Sequence, residues 1–119
     1  MLDGTPNHHS GLVAHRVAIE AAAAAIRLTS SIPTRMKSLA DQVIRAASSV
    51  PANLAEGAGR KGRDRAHFWR IAYGSALEVG SHLELLMRVG AIDRERADEA
   101  IESFDRVRAL TWRLLHPRR

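Results

Sequence analysis

Four polar residues in this sequence could in principle form a catalytic site. Asn53, Glu56, Glu78 and His82 could gather as an orienting amide, an acid and a base. Neither a nucleophile motif nor a phosphate-binding glycine loop accompanies them, so we expect no catalytic residues. A di-iron helical bundle needs Glu-x-x-His on two helices, whereas Glu78 and His82 are four residues apart and have no second copy. We therefore expect no metal and no other cofactor.

A basic cluster is the stronger functional candidate. Five cations fall within eleven residues, opposed only by Asp64: they are Arg60, Lys61, Arg63, Arg65 and Arg70. A predicted helix begins in this segment, and a helix N-terminus adds to the attraction for anions. The cluster predicts contacts with the phosphates of RNA or DNA and little reading of base sequence. The alternative is a solvated, arginine-rich turn that only aids solubility.

Charge and composition limit the classes of protein to which this sequence can belong. The 119 residues carry a formal net charge of +5, which favours acidic partners. A second basic group, Arg113, Arg118 and Arg119, closes the sequence, and the pattern leaves open whether it lies beside the basic cluster or away from it. The absence of cysteine excludes disulfides and thiolate metal sites. Because neither a signal peptide nor a membrane span is readable, we expect a cytoplasmic protein with no membrane partner.

The elements that must position these residues are helices. Alanine, leucine, arginine and glutamate dominate, no segment alternates like a strand, and glycine, proline and serine divide the chain into four pieces. The predicted helices run over about 11–29, 34–56, 64–90 and 93–116, with Ser10 and Asp64 as N-caps and Asp93 at the start of the fourth. Short links make neighbours antiparallel. We therefore expect an all-α, antiparallel up-and-down four-helix bundle over 11–116, a flexible tail over 1–10 and a frayed end over 117–119.

The third predicted helix has more apolar surface than one contact can bury. Phe68, Ala72, Val79, Leu83 and Leu86 form one stripe along it. A second stripe lies at an angle to the first and contains Trp69, Tyr73, Ala76, Leu77 and Met87. The pattern predicts a homo-oligomer interface that includes Trp69, Tyr73 and Leu77; the alternative is that these side chains simply lie partly exposed.

A ladder of polar residues is predicted between the second and third helices. Its members are Arg45, Ser49, Asn53, Glu56, Gly74, Ser75 and Glu78, at spacings of three and four along each helix. Equal rise along antiparallel helices predicts four pairs: Arg45 with Glu78, Ser49 with Gly74, Asn53 with Arg70, and Glu56 with His67. Gly74 and Ser75 would allow close backbone approach, and a partly buried Arg45–Glu78 pair would help to fix the register. We interpret this ladder as architecture rather than as a ligand site.

Two motifs carry a resemblance to a known family. Q-V-I-R-A-A-S-S-V-P-A-N-L-A-E-G-A-G over 42–59, followed by I-A-Y-G-S-A-L-E over 71–78, resembles the four helix bundle protein family, first noticed as the intervening-sequence protein encoded inside large-subunit ribosomal RNA genes. The chain is similar, more distantly, to the accessory variability protein of diversity-generating retroelements. Arg35 and Lys37 stand where many members carry a glutamate after the proline.

The resemblance implies a ring-like homopentamer of antiparallel four-helix protomers with no known enzymatic activity. In the retroelement branch it also implies binding to nucleic acid or to a reverse transcriptase. Together with the basic cluster, this predicts an oligomeric nucleic-acid-associated accessory protein. The alternative is an oligomeric scaffold whose partner is a polymerase or a neighbouring gene product, without nucleic-acid contact.

Overall fold

The computed structural model describes the backbone of residues 8–118 and the side chains of residues 9–118. This part of the chain contains four α-helices, two short 3₁₀ turns in the first connection, and no strand. The helices are α1 (His8–Leu28), α2 (Lys37–Ala58), α3 (Gly62–Arg88) and α4 (Arg94–Leu115), and the 3₁₀ turns are Thr29–Ser31 and Thr34–Met36. The predicted all-α class and the four helices are therefore confirmed.

Contacts between the helices show that neighbours run in opposite directions. The Trp69 indole, near the beginning of α3, contacts the Leu54 carbonyl near the end of α2. Glu78 is later in α3 and contacts Arg45, which is earlier in α2. The same reversal relates α1 to α4: Val13 lines a pocket with Leu110, and Ala24 lines another with Ala100. The four helices form an elongated bundle of 51 × 22 × 17 Å. No helix in residues 8–118 is long and apolar enough to cross a membrane.

A single core runs through the bundle, and α1 contributes mainly alanines to it. Ala14, Ala18, Ala21 and Ala25 are at most 1% exposed. Their spacing of four, three and four places them on one face of α1, where small side chains allow the neighbouring helices to approach closely. Larger side chains fill the space opposite, and the largest of those that are fully buried is Phe104. The core thus combines a mainly alanine face on α1 with a mixture of alanines and bulkier side chains on the other three helices.

The observed start of α4 agrees with the sequence-based prediction, whereas the starts of α1 and α3 differ from it. The Asp93 carboxylate accepts a hydrogen bond from the Arg96 backbone N–H at 2.9 Å, so Asp93 is the N-cap of α4 and the predicted start of this helix is confirmed. By contrast, α1 already includes His8 to Ser10, so Ser10 is not a cap and these residues are not tail. The α3 helix begins at Gly62, because the Arg65 N–H already bonds to the Lys61 carbonyl; Asp64 lies in its first turn. The remaining tail residues, 1–7, and Arg119 lie outside the described residues.

The α3 helix buries one stripe rather than two. The buried residues follow spacings of three and four: Trp69, Ala72, Ala76, Val79, Leu83 and Leu86. Trp69 is 4% exposed within its own chain, so its assignment to an oligomer interface is wrong. The physical reason is Gly57 of α2, whose missing side chain leaves the space that the indole occupies. Tyr73 is half-buried and Leu77 is 48% exposed, and their place in an interface stays a prediction.

Candidate nucleic-acid interface

The basic cluster occupies the turn between α2 and α3. After α2 ends at Ala58, three residues lead to Gly62, which has a φ of +57°. Glycine adopts this left-handed conformation without the steric cost that a side chain brings. The turn is therefore tight, and it projects the cations of 60–65 from one end of the bundle.

Two of the five cations are held by their own chain. Arg60 donates from Nη2 and Nε to the Glu56 carboxylate at 2.7 and 2.9 Å, and its guanidinium lies 5.1 Å from the centre of the Phe68 ring. Arg65 donates from Nε to the Arg60 carbonyl at 2.9 Å and lies 5.5 Å from the Trp69 ring centre. These contacts order the turn. Because Glu56 offsets the charge of Arg60, this cation is less available to a ligand.

The other three cations point into solvent. Lys61, Arg63 and Arg70 are exposed, and their side chains make no hydrogen bond or ion pair with any side chain of residues 9–118. Arg63 and Arg70 are seven residues apart and share one face of α3 with exposed His67 between them. These cations are therefore the members of the cluster that are free to contact an anion.

Arg113 and Arg118, the described members of the second basic group, lie at the same end of the bundle as the turn. Tyr73 of α3 and Trp112 of α4 line one cleft, so the last turns of α4 run beside the first half of α3. Arg113 and Arg118 follow Trp112 and are exposed. In the same region Arg108 lies 5.9 Å from the Tyr73 ring centre and donates to Asp105 at 2.8 Å, and this hydrogen bond raises the pKa of Arg108. The structure thus answers the question that the sequence left open: Arg113 and Arg118 lie at the same end of the bundle as the basic cluster.

Charge is distributed unevenly along the bundle. When each helix is divided at its midpoint, the half with the α2–α3 turn contains ten Lys and Arg residues and three carboxylates among residues 8–118. We call this the basic half; its cations are Arg16, Arg60, Lys61, Arg63, Arg65, Arg70, Arg106, Arg108, Arg113 and Arg118. The opposite half contains seven Lys and Arg residues and nine carboxylates. All of the net positive charge therefore lies in the basic half.

The predicted polar ladder is present in a shorter form. Arg45 Nη2 lies 3.5 Å from Glu78 Oε2, as the antiparallel register predicts. The Arg45 side chain is 69% exposed, so the pair is not the partly buried one that we expected, and it adds little to stability. Glu78 is shared with His82, whose Nε2 lies 3.3 Å from the same oxygen.

The remaining ladder pairs differ from the prediction. The Ser49 hydroxyl meets the Ser75 hydroxyl at 3.0 Å rather than Gly74. A Cβ on Gly74 would meet no atom within 4 Å outside the neighbouring backbone of its own helix, so this glycine does not serve close approach within the protomer. Asn53 bonds to Ser49 rather than to Arg70, and Glu56 bonds to Arg60 rather than to His67; Arg70 and His67 are both exposed.

Sequence reasoning missed an aromatic pair at the basic end. The rings of Trp112 and His116 stack with their centres 4.0 Å apart and an interplanar angle of 22°. Trp112 is 50% exposed, in contrast to Trp69. The spacing of four residues on a predicted helix, with Arg113 between them, was a signal that could have found this pair.

Comparisons with known proteins agree with this architecture. A solved structure of a protein with unknown function from the S23 ribosomal protein family of Bacteroides thetaiotaomicron is similar, with a TM-score of 0.81 and 24% sequence identity. The similarity covers 89% of this chain and 97% of that one, and at this identity it shows a shared fold alone. No curated protein matches the chain. The family model of the 23S rRNA-intervening sequence protein matches residues 11–113, so the chain belongs to the 23S rRNA-intervening sequence protein family.

Proposed function

We propose that this protein is a non-enzymatic homo-oligomer that binds the nucleic-acid backbone through the basic half of its bundle. One observation carries the proposal: the α2–α3 turn and the end of α4 bring two separate basic groups to the same end of the molecule. Charge so concentrated attracts polyanions, and each phosphate contact releases counterions from the nucleic acid. The family name, which refers to a sequence within 23S rRNA, is compatible with an RNA partner.

The free cations of the turn are the proposed primary contacts. Lys61, Arg63 and Arg70 are exposed and unpaired within residues 9–118, so binding a phosphate breaks no existing ion pair. The N-terminus of α3 points its backbone N–H groups toward the same region. Arg60, already paired with Glu56, is proposed to order the turn and to contribute a smaller share of the affinity.

Assembly is proposed because α2 and α3 keep apolar side chains in solvent. Ile44 of α2 and Ile71, Leu77 and Leu85 of α3 are between 37% and 49% exposed. A second copy that covered these residues would remove apolar surface from water, which favours association. An oligomer would also repeat the basic half, so that modest phosphate contacts add through avidity. The count of five subunits rests on the family resemblance.

A protein partner is the alternative that the same exposed apolar residues favour. In that case the protein is an oligomeric scaffold for a polymerase or another gene product. Salt separates the two functions, because phosphate binding weakens steeply as salt rises whereas an apolar interface barely responds.

The test compares two variants with the same change in charge. We expect the Lys61→Ala, Arg63→Ala, Arg70→Ala variant to bind duplex RNA or DNA more weakly, with the slope of log affinity against log salt reduced by about 2–3 units. The control replaces three exposed cations of the opposite half, Arg27, Arg35 and Arg94, with alanine. Equal loss of affinity in both variants would reject the turn as the binding site. Light scattering on the wild-type protein measures the subunit number.

A further inference from the structure

One feature of the basic half that the proposed function does not explain is a pocket between the beginning of α1 and the end of α4. It has a volume of about 720 Å³, and His9, Trp112, Arg113, His116 and Arg118 are among the residues that line it. This volume lies in the range of small-molecule sites, which are concave and carry a few polar groups that orient the ligand. The pocket is separate from the α2–α3 turn, although both lie at the same end of the bundle.

One wall of the pocket is a flat aromatic platform. Trp112 and His116 stack on each other, and the His116 ring donates from Nδ1 to the Trp112 carbonyl at 2.9 Å. This hydrogen bond fixes the orientation of the imidazole, so the platform is ordered before any ligand binds. Half of the Trp112 side chain nevertheless remains exposed. An exposed aromatic ring of this kind stacks readily on a nucleobase, because every base presents a π-face.

Two guanidinium groups accompany the platform in the pocket. Arg113 and Arg118 line it together with His9, and no carboxylate does so within residues 9–118. The combination of a planar apolar surface and cations matches a nucleotide, which joins a flat base to a phosphate. Neither an acidic peptide nor an inorganic anion would use the aromatic wall.

We propose that this pocket holds an unpaired nucleobase of single-stranded nucleic acid, stacked on Trp112, with a flanking phosphate at Arg113 and Arg118. The inference rests on the proposed function and extends it, because it names single strands as the preferred substrate class. The bases of a duplex are already stacked and paired, so a duplex offers phosphates to the basic half but no base to the pocket.

The experiment measures how Trp112 affects binding to single strands and to duplexes. The probes are a labelled oligouridine strand of about 12 nucleotides and a blunt RNA duplex of about that length, titrated by fluorescence anisotropy. We expect Trp112→Ala to weaken strand binding by about tenfold and duplex binding by less than about twofold, whereas Trp112→Phe keeps most of the strand affinity. The oligouridine strand should also quench the tryptophan emission of the wild-type protein, which buried Trp69 alone cannot report.

The outcomes separate this inference from the proposed function. Equal effects of Trp112→Ala on strand and duplex, or no effect on either, would overturn the pocket while leaving phosphate binding at the turn intact. Loss of duplex affinity in the Lys61, Arg63, Arg70 variant tests the turn independently. The last measurement is the affinity for uridine monophosphate. If it binds as tightly as the oligouridine strand, the pocket is a site for free nucleotides, and the proposal is wrong. A fall in molar mass for Trp112→Ala would instead assign Trp112 to an interface between copies and would also overturn it.

Discussion

The indole of Trp69 lies directly against the backbone of Gly57. A Cβ at Gly57 would be 2.5 Å from Trp69 Cδ1 and 3.1 Å from the Arg65 carbonyl oxygen. The indole cannot turn away freely, because its Nε1 donates to the Leu54 carbonyl at 3.2 Å. Gly57 is therefore the residue that allows α3 to dock its largest side chain against α2.

We expect Gly57→Ala to destabilise the protein by about 1–3 kcal/mol, because the added methyl group overpacks a rigid ring. This loss outweighs the gain in helix propensity that alanine brings. Chemical denaturation followed by circular dichroism measures the free energy of unfolding. Gly59→Ala is the matched control, because a Cβ there would meet only the Glu56 carbonyl at an ordinary 3.6 Å. A stable Gly57→Ala variant would contradict the tight docking of Trp69.

Removal of the cap of α4 should also lower stability. Asp93→Ala deletes the acceptor of the Arg96 backbone N–H, and the expected cost is about 1 kcal/mol. Asp93→Ser keeps an acceptor oxygen at this position and should retain most of the stability. Thermal unfolding of the three proteins at one concentration checks the order, and equal melting temperatures for Asp93→Ala and the wild type would show that the cap contributes nothing.

The Glu56–Arg60 pair predicts a gain of affinity. Glu56→Gln removes a carboxylate from the basic half and releases Arg60, so we expect nucleic-acid affinity to rise by roughly two- to fivefold at low salt. Glu99→Gln makes the same charge change in the opposite half and should have a smaller effect. The increase should shrink as salt is raised. Weaker binding by Glu56→Gln would mean that the ordered turn matters more than its net charge.

The assembly proposal makes a prediction at Leu77. Since this side chain is 48% exposed, Leu77→Glu should leave the fold of the protomer unchanged and lower the molar mass measured by light scattering. Leu12→Glu provides the control, because Leu12 is 54% exposed on α1 and is not assigned to the interface. An unchanged mass for Leu77→Glu would remove Leu77 from the proposed contact.

The four helices and the antiparallel register were accessible from the sequence because both depend on local periodicity and short links. The Arg45–Glu78 contact followed from equal rise on opposed helices, and its observed distance of 3.5 Å agrees with that register. Asp93 was recognisable because a capping carboxylate acts within its own turn. These features need no knowledge of how side chains fill the core.

The predictions were wrong where the burial or the partner of a side chain depends on a residue outside its own helix. Periodicity placed Trp69 on a second stripe of α3, because nothing on α3 reveals the space left by Gly57 of α2. The Asn53 and Glu56 pairings failed for a similar reason: each side chain found a partner four residues away along the chain, and such local contacts cost less ordering than contacts between helices. To predict that the two basic groups lie at the same end of the bundle, one had to know the direction of α4 relative to the turn.

The separation of charge also bears on how the molecule would bind a polyanion. The bundle is 51 Å long, whereas charges in physiological salt are screened over about 8 Å. In a chain bound only through its basic half, the long axis would point away from the polyanion. Glu95, Asp98 and Glu99 would then lie farther from the phosphates than the distance over which charges repel. The opposite half would then remain accessible to a different, positively charged partner while the basic half stays bound.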